Sequence, residues 1–409
     1  MRNRLIIVSL YVILILLGLY AVFDGRRMAW LLFAGYIGLV TYETIVWMSL
    51  QTSFHVVRTL SEISVTAGTS LSIHAQAKSN RKIWGVSSII HVEDVVPHGL
   101  EKSVMLTAHW VKAARKDPLN EWNRWHDRYE LCEVERGLYD FTAIMIISGD
   151  VFGLLHKREF IPCHTRIVVY PAVRMISRWD VFEKMMRRAS TQNLLDIGTA
   201  GRVIATRAYE PGDRMHRIHW LATARMDELR VKELEWMQRL VLSLVLHAPV
   251  PSEFTIAESS RLDFELAISI VATIGQFALP RRIEVCYYEM GQPAFAVYRG
   301  AQMQTNMSFF TDLAVSTPKS SIDSSVWHIL NGLKGTIYIV VTTALNEFYQ
   351  DVMREGITWP QSTLILSICQ SDHERTEMEE HIIMSWSARG WKVAMIHSLD
   401  QFVDECLRR

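Results

Sequence analysis

Two histidines, His216 and His219, stand three residues apart just after Asp213, near the middle of the chain. Imidazoles beside a carboxylate are the material of general acid–base catalysis or of a metal site. The same stretch carries Arg214, Arg217, Arg225, Arg230 and Lys232 among Asp213, Asp227, Glu228 and Glu233. Guanidinium forks grip carboxylates and other anions bidentately. Three chemistries therefore compete here: a charge-paired clamp joining two domains, a surface for a partner or anion, and a hydrolase or transferase centre on Asp213, His216 and His219. Spacing marks no third metal ligand downstream. Thr223 and Ser243 lack the turn of a nucleophile elbow, and the cysteines have no evident base. No catalytic residue, metal ligand or cofactor is assigned.

The local backbone is easier to read. Pro211 presets φ and Gly212 tolerates positive φ, so Glu210 to Asp213 suits a type II turn. Residues 202–207 read as a strand entering that turn. Tyr209, Pro211, Gly212, Asp213, Arg217, His219, Trp220, Arg225 and Lys232 are the residues expected to form an interaction motif.

The stretch Arg207-Ala-Tyr-Glu-Pro-Gly-Asp-Arg-Met-His-Arg-Ile-His-Trp220, followed by Thr223-Ala-Arg225 and Leu229-Arg-Val-Lys-Glu233, is similar to the hallmark of the DUF58 family of bacterial and archaeal proteins. Arg136-Gly-Leu-Tyr139 and Asp150-Val-Phe-Gly153 resemble it as well. The resemblance implies two amino-terminal spans, a β-rich segment and a carboxy-terminal domain like that of von Willebrand factor A. It also implies an association with MoxR-type AAA+ ATPases and transglutaminase-like membrane proteins, beside whose genes such proteins are often encoded. It implies no particular reaction.

The elements that must position the motif begin in a membrane. Leu5 to Phe23 is apolar and uncharged, and Met28 to Trp47 is a second apolar run interrupted by Glu43. Each approaches the ~20 residues that cross a hydrocarbon core. Asp24-Gly-Arg-Arg27 joins them tightly, so both ends emerge on one side. A secretory leader is the rival reading, but the run is long and no small-x-small cleavage site follows it. Glu43 is expected to snorkel toward headgroups. Arg2 and Arg4 face Arg26 and Arg27 across the hairpin, with Arg58 on the downstream flank, so the basic flanks are almost balanced. Five cysteines, an odd number without paired spacing, favour a reducing compartment. The expected location is the inner (plasma) membrane, with the soluble portion in the cytoplasm. Forty-three basic residues against 43 acidic ones give no basic tail, so no nucleic-acid partner is expected.

Period-two alternation at 54–60, 62–65, 70–77, 84–92, 129–134 and 141–147 predicts a small sandwich. Residues 113–128, with Trp122 and Trp125, read as a loop, and Asp150 as a turn cap. Residues 172–200 read as a connector with a short amphipathic helix over 179–188. Beyond it, apolar strands at 239–247, 283–288, 294–298, 336–342, 363–368 and 393–396 alternate with helices at 262–277, 307–315 and 399–407, the order of a doubly wound α/β domain. A metal-binding A domain carries Asp-x-Ser-x-Ser after its first strand, because a hard cation takes oxygen ligands. Here that place reads His247-Ala-Pro-Val-Pro-Ser252. Ser252, Glu253, Ser259 and Ser260 are the remaining oxygen donors nearby. No Walker A or dinucleotide glycine motif is present.

The expected chain is thus multi-domain: a two-span hairpin (1–50), a β-sandwich-like domain (51–171), a linker with the motif (172–235) and a doubly wound von Willebrand A-like domain (236–409). The expected role is that of a membrane-anchored scaffold or adaptor for a protein partner such as a MoxR-type AAA+ ATPase, with the lipid bilayer as its other partner.

Overall fold

The structure, a computed structural model, describes residues 2–50, 53–62, 64–79, 89–100, 124–196, 202–210, 215, 218–235, 240–249, 258–290, 296–299, 303–318, 337–357, 359–360, 362–369 and 377–407. The chain divides into two compact units, Met1–Tyr170 and Pro171–Arg409.

The first unit opens with helices α1 (Arg2–Asp24) and α2 (Arg27–Ser49). Asn3–Asp24 and Arg27–Met48 have mean hydropathies of 2.9 and 1.4 and are long and apolar enough to cross a membrane. A helix satisfies its own backbone polar groups, which is what a segment surrounded by lipid requires. The chain reverses at Gly25, whose φ of +62° closes the hairpin without a Cβ penalty. Gly18 lets the Phe33 ring come close, and Tyr11 and Thr44 share a hydrogen bond of 2.9 Å between the helices.

Two sheets follow. One has the order β1 (Phe54–Leu60), β3 (Leu71–Ser79), β5 (Arg124–Leu131). The other has the order β2 (Ser64–Thr66), β7 (His156–Tyr170), β6 (Gly137–Gly149), β4 (Ile89–Asp94). Ile73, Tyr129 and Leu131 of the first sheet share a buried core with Phe141, Ile167 and Val169 of the second. The alternation of inward apolar residues makes this a sandwich. Residues 124–128 correct the expected loop: they are strand, and Trp125 pairs with Ala77. Trp122 and residues 84–88 lie outside the described residues.

The second unit is built on a six-stranded sheet in the order β12-β11-β10-β13-β14-β15. Its strands are β10 (Val241–His247), β11 (Glu284–Glu289), β12 (Ala296–Arg299), β13 (Ile337–Thr342), β14 (Thr363–Ile368) and β15 (Lys392–Ile396). All pairings are parallel except that of edge strand β12 with β11. Every residue of β13 and β14 is buried, as expected of parallel strands covered on both faces.

One face carries α3 (Asp180–Asp196), α5 (Glu258–Ala278), α6 (Met303–Val315) and α9 (Leu399–Leu407), which contribute Phe182, Ile270, Phe309 and Phe402 to its core. The other face carries α7 (Leu345–Arg354) and α8 (Glu377–Ala388), through Phe348 and Trp386. Helix α5 also has the length and hydropathy of a span, yet 72% of that window is buried in protein. Its apolarity serves the sheet.

The expected connector turns out to be core. Trp179 stacks on Phe182 at 5.2 Å and meets Phe277 and Phe402 edge-on. Each such buried aromatic contributes roughly 1.5–3 kcal/mol by removal from water. Strand β8 (Arg202–Ala208) then pairs antiparallel with β9 (Arg230–Glu235), and the seven-residue helix α4 (Trp220–Met226) lies between them in sequence.

Candidate functional site

The hairpin of β8 and β9 frames the motif. A bulge falls between Val203 and Ala205, and the ladder closes where Tyr209 N–H donates to Leu229 O at 2.9 Å. Ile218 bridges to Val231, both are buried, and His219 N–H donates to Arg230 O at 2.8 Å. The chain is thereby drawn back across the hairpin just before α4 starts.

His219 caps that helix. Its Nδ1 accepts from Ala222 N–H at 3.0 Å, replacing a bond the first helical turn cannot make. At the other end Asp227 takes a left-handed conformation, φ +55°, and its N–H returns to Thr223 O at 3.0 Å. Thr223 Oγ1 also accepts from Arg230 N–H at 3.0 Å, pinning α4 to β9. Arg230 reaches Glu228 at 3.7 Å.

Of the expected motif residues, Tyr209 is partly buried, and Trp220 and Arg225 are exposed. The backbone of Lys232 pairs with Thr206. Pro211, Gly212, Asp213, His216 and Arg217 lie outside the described residues. Of the three residues named for a hydrolytic centre, His219 alone is described, and its Nδ1 is engaged in helix capping. No residue of α4 is buried. Trp220 and Leu221 are 65% and 62% exposed, and Met215, Met226 and Leu229 stand exposed beside them in sequence. The described part of the motif displays these apolar side chains, together with exposed Arg225, Asp227 and Glu228, on a hydrogen-bonded frame.

A buried charge pair lies inside the sandwich, apart from the motif. Arg58 of β1 donates from Nε to Asp94 Oδ2 at 2.7 Å and from Nη2 to Asp94 Oδ1, with both side chains essentially inaccessible. Arg58 also donates to Cys163 O at 2.7 Å and Ala143 O at 3.2 Å, and Tyr129 Oη–H donates to Asp94 at 2.8 Å. The guanidinium lies over the Phe141 ring, 4.8 Å from its centroid. One cation thus ties four strands of two sheets. In the sequence Arg58 counts as a charge flanking the second span. The signal that finds it is period two, since Phe54, Val56, Arg58 and Leu60 share a face.

At the carboxyl ends of β10 and β13 the chain leaves the central strand toward opposite sides of the sheet, the place where open α/β sheets bind ligands. His247 and Thr342 occupy it, with Nδ1 and Oγ1 at 2.8 Å. His247 is fully buried against the Phe348 ring, centroids 5.0 Å apart, and burial pushes its imidazole down to about 3. It is a neutral nitrogen base where a hard cation would seek carboxylate oxygen. Ser252 and Glu253 lie outside the described residues. Among the described residues, no three His, Cys, Asp or Glu side chains are grouped to hold a metal ion. Burial raises the Cys286 thiol and pushes Cys406 up to about 12, which suppresses the reactive thiolate at both.

A cavity of about 340 Å³ opens beside β11, β12 and α6, lined by Glu289, Tyr298 and Asp312 among others. The Tyr298 hydroxyl donates to Asp312, and burial raises its ionisation above the usual tyrosine range. Both groups are thereby committed to packing α6 against the edge strand.

Fold and site together define a class: a chain with two helices long and apolar enough to span a membrane, a β-sandwich and a mixed α/β unit whose sheet is preceded in sequence by a capped module with exposed apolar side chains. Residues 205–321, which include that module, match the family described as "Protein of unknown function DUF58". The chain is also 27% identical over 219 residues to the "Uncharacterized protein YeaD" of Bacillus subtilis (strain 168), a stretch covering 53% of each chain. It therefore spans about half the length of that curated relative.

Proposed function

We propose that this protein is a membrane-anchored scaffold or adaptor that presents the α4 module to a protein partner. The observation that carries this reading is α4 itself, a capped helix with Trp220 and Leu221 turned to solvent and no buried residue of its own. Exposed aromatic and aliphatic anchors on a rigid frame are the usual energetic centre of a protein interface. The partner class we put forward is a MoxR-type AAA+ ATPase, the association that the DUF58 resemblance of the 207–233 stretch implies. The soluble units lie in the cytoplasm, beneath the inner (plasma) membrane, where such an ATPase finds its nucleotide. A von Willebrand A-like identity for the second unit is supported by its parallel sheet with one antiparallel edge.

The test is co-purification of the full-length tagged chain from gently solubilised membranes. An ATPase should be retained by the wild type and lost with Trp220→Ala, at a cost of about 2 kcal/mol or more, roughly thirtyfold in Kd. Retention of the same partner by Trp220→Ala and by Leu221→Ala would sink the reading of α4 as the anchor.

A further inference from the structure

The turn between β6 and β7 presents an apolar tip beside the second membrane helix. Asp150 organises that turn. Its carboxylate accepts from Phe152 N–H at 2.7 Å and Leu155 N–H at 2.6 Å, and Asp150 N–H donates to Leu155 O at 3.1 Å. Gly153 supplies the positive φ, +72°, that turns the chain. Leu155 points inward and is fully buried with Val46 of α2 and Leu50 at its carboxyl-terminal cap. Val151, Phe152 and Leu154 point out, at 55%, 61% and 37% exposure.

This turn is docked well inside the span. Val151 N–H donates to Tyr42 Oη at 3.4 Å, and the Phe152 ring meets the Tyr42 ring edge-on at 5.6 Å. Tyr42 lies six positions before Met48, where the apolar segment ends, which at 1.5 Å per residue is ~9 Å along the helix. On the other helix, Asn3 Nδ2 donates to His156 O at 2.6 Å, so the first turn of α1 also meets this hairpin. Glu43, expected to snorkel, is instead buried at 1% exposure beside the Asp150 carboxyl.

We propose that the Val151-Phe152-Gly153-Leu154 tip is a third membrane element, a wedge seated in the lipid bilayer against α2. The occupant of its apolar face is acyl chain, because the face continues the lipid-exposed surface of α2 at the same depth. Large apolar side chains on a compact turn enter the headgroup–acyl boundary favourably, and basic residues flanking them meet the headgroups. Arg158, exposed just beyond the tip on β7, is placed for that contact, while Lys157 is paired with Glu159 at 2.7 Å. Glu43 is consistent with this seat, since it is buried beside the Asp150 turn rather than turned outward.

The proposal rests on the two-helix hairpin crossing the bilayer, and the experiment separates the two. The photoreactive residue p-benzoylphenylalanine is placed in the full-length chain at Phe152, Leu154, Leu16 or Glu62, reconstituted in phosphatidylethanolamine–phosphatidylglycerol vesicles, and irradiated. Lipid adducts are read by intact mass. Leu16 is exposed in the middle of α1, and Glu62 is exposed just past the far end of β1. Adducts at 16, 152 and 154 but not at 62 are expected. Adducts at 16 with none at either tip position overturn the wedge and leave the spans intact. Absence of adducts at 16 overturns the spans, and the wedge with them. Equal adducts at 62 and 152, or protein–protein adducts replacing lipid at 152 and 154, also overturn the wedge.

Discussion

Arg58 and Asp94 are buried together, so each is stable only because the other is present. Taking one charge away leaves its partner in a low-dielectric core, which costs about 3–5 kcal/mol. Arg58→Ala or Asp94→Ala should therefore lower the Tm of the detergent-solubilised protein strongly, and the double replacement with apolar residues should recover much of the loss. Single variants that melt within a degree or so of the wild type would show the pair to be solvated. His247 makes a pH-dependent prediction. Its imidazole is held down to about 3 in the fold, against about 6.5 in an unfolded chain. Unfolding therefore takes up a proton, so its contribution is full above pH ~6.5 and falls as the pH drops towards about 3. The slope approaches ~1.4 kcal/mol per pH unit. Between about pH 6.5 and pH 5, above most carboxylate titrations, wild-type Tm should fall more steeply than that of His247→Asn, whose amide keeps a polar group near Thr342 without a titrating base. Parallel Tm curves would refute the assignment. Neither residue declared this role by type. An arginine near a span reads as a topology signal, and a histidine at a strand end reads as a missing aspartate, until register places each inside a core.

At the scale of elements, what was legible followed periodicity. Strands β10, β13 and β14 and helix α9 stand within a residue or two of their sequence-based bounds, because unbroken apolar runs and helical spacing each have one satisfying arrangement. Strand β5 did not, because Arg124-Trp-His-Asp-Arg128 alternates weakly and owes its place to pairing with β3. Helix α4 was illegible for the same kind of reason: seven residues with nothing buried leave no apolar stripe, and only its caps reveal it. A clearer consequence comes from Gly275 in α5. A Cβ there would lie 2.6 Å from Phe309 Cζ on α6, and the Phe309 ring is boxed in by Tyr287, Tyr298 and Phe310. The glycine is what lets α5 and α6 close. Gly275→Ala, ordinarily favourable in a helix, should destabilise by about 1–3 kcal/mol through overpacking. Pairing it with Phe309→Leu should restore part of the loss, as read by chemical denaturation followed by tryptophan fluorescence. An alanine that stabilises the protein would mean the ring has room to move.

At the scale of the whole molecule, the helical hairpin and the sandwich belong to one compact unit rather than to a tether and a cargo. Val46, Leu50 and Leu155 form a small core that exists only when the hairpin and the β6–β7 turn are both present. The sequence shows the two runs and the sandwich as separate materials, because the contacts that fuse them are between residues over a hundred positions apart, such as Val151 with Tyr42. Truncation tests the fusion. A fragment beginning at Gln51 keeps the Arg58–Asp94 clamp and both sheets, so its sandwich should fold. It loses the cover of Leu155 and leaves Val151, Phe152 and Leu154 as an exposed apolar knob. Such a fragment, although it lacks both amino-terminal helices, should sediment with phosphatidylglycerol-containing vesicles and self-associate in their absence, as read by light scattering. Replacing Phe152 and Leu154 together with serine should leave its melting unchanged, since both are exposed, while abolishing both behaviours. Should the unaltered fragment stay monomeric and ignore vesicles, the knob would have no affinity for lipid of its own. Its seat beside α2 would then follow from the anchor alone.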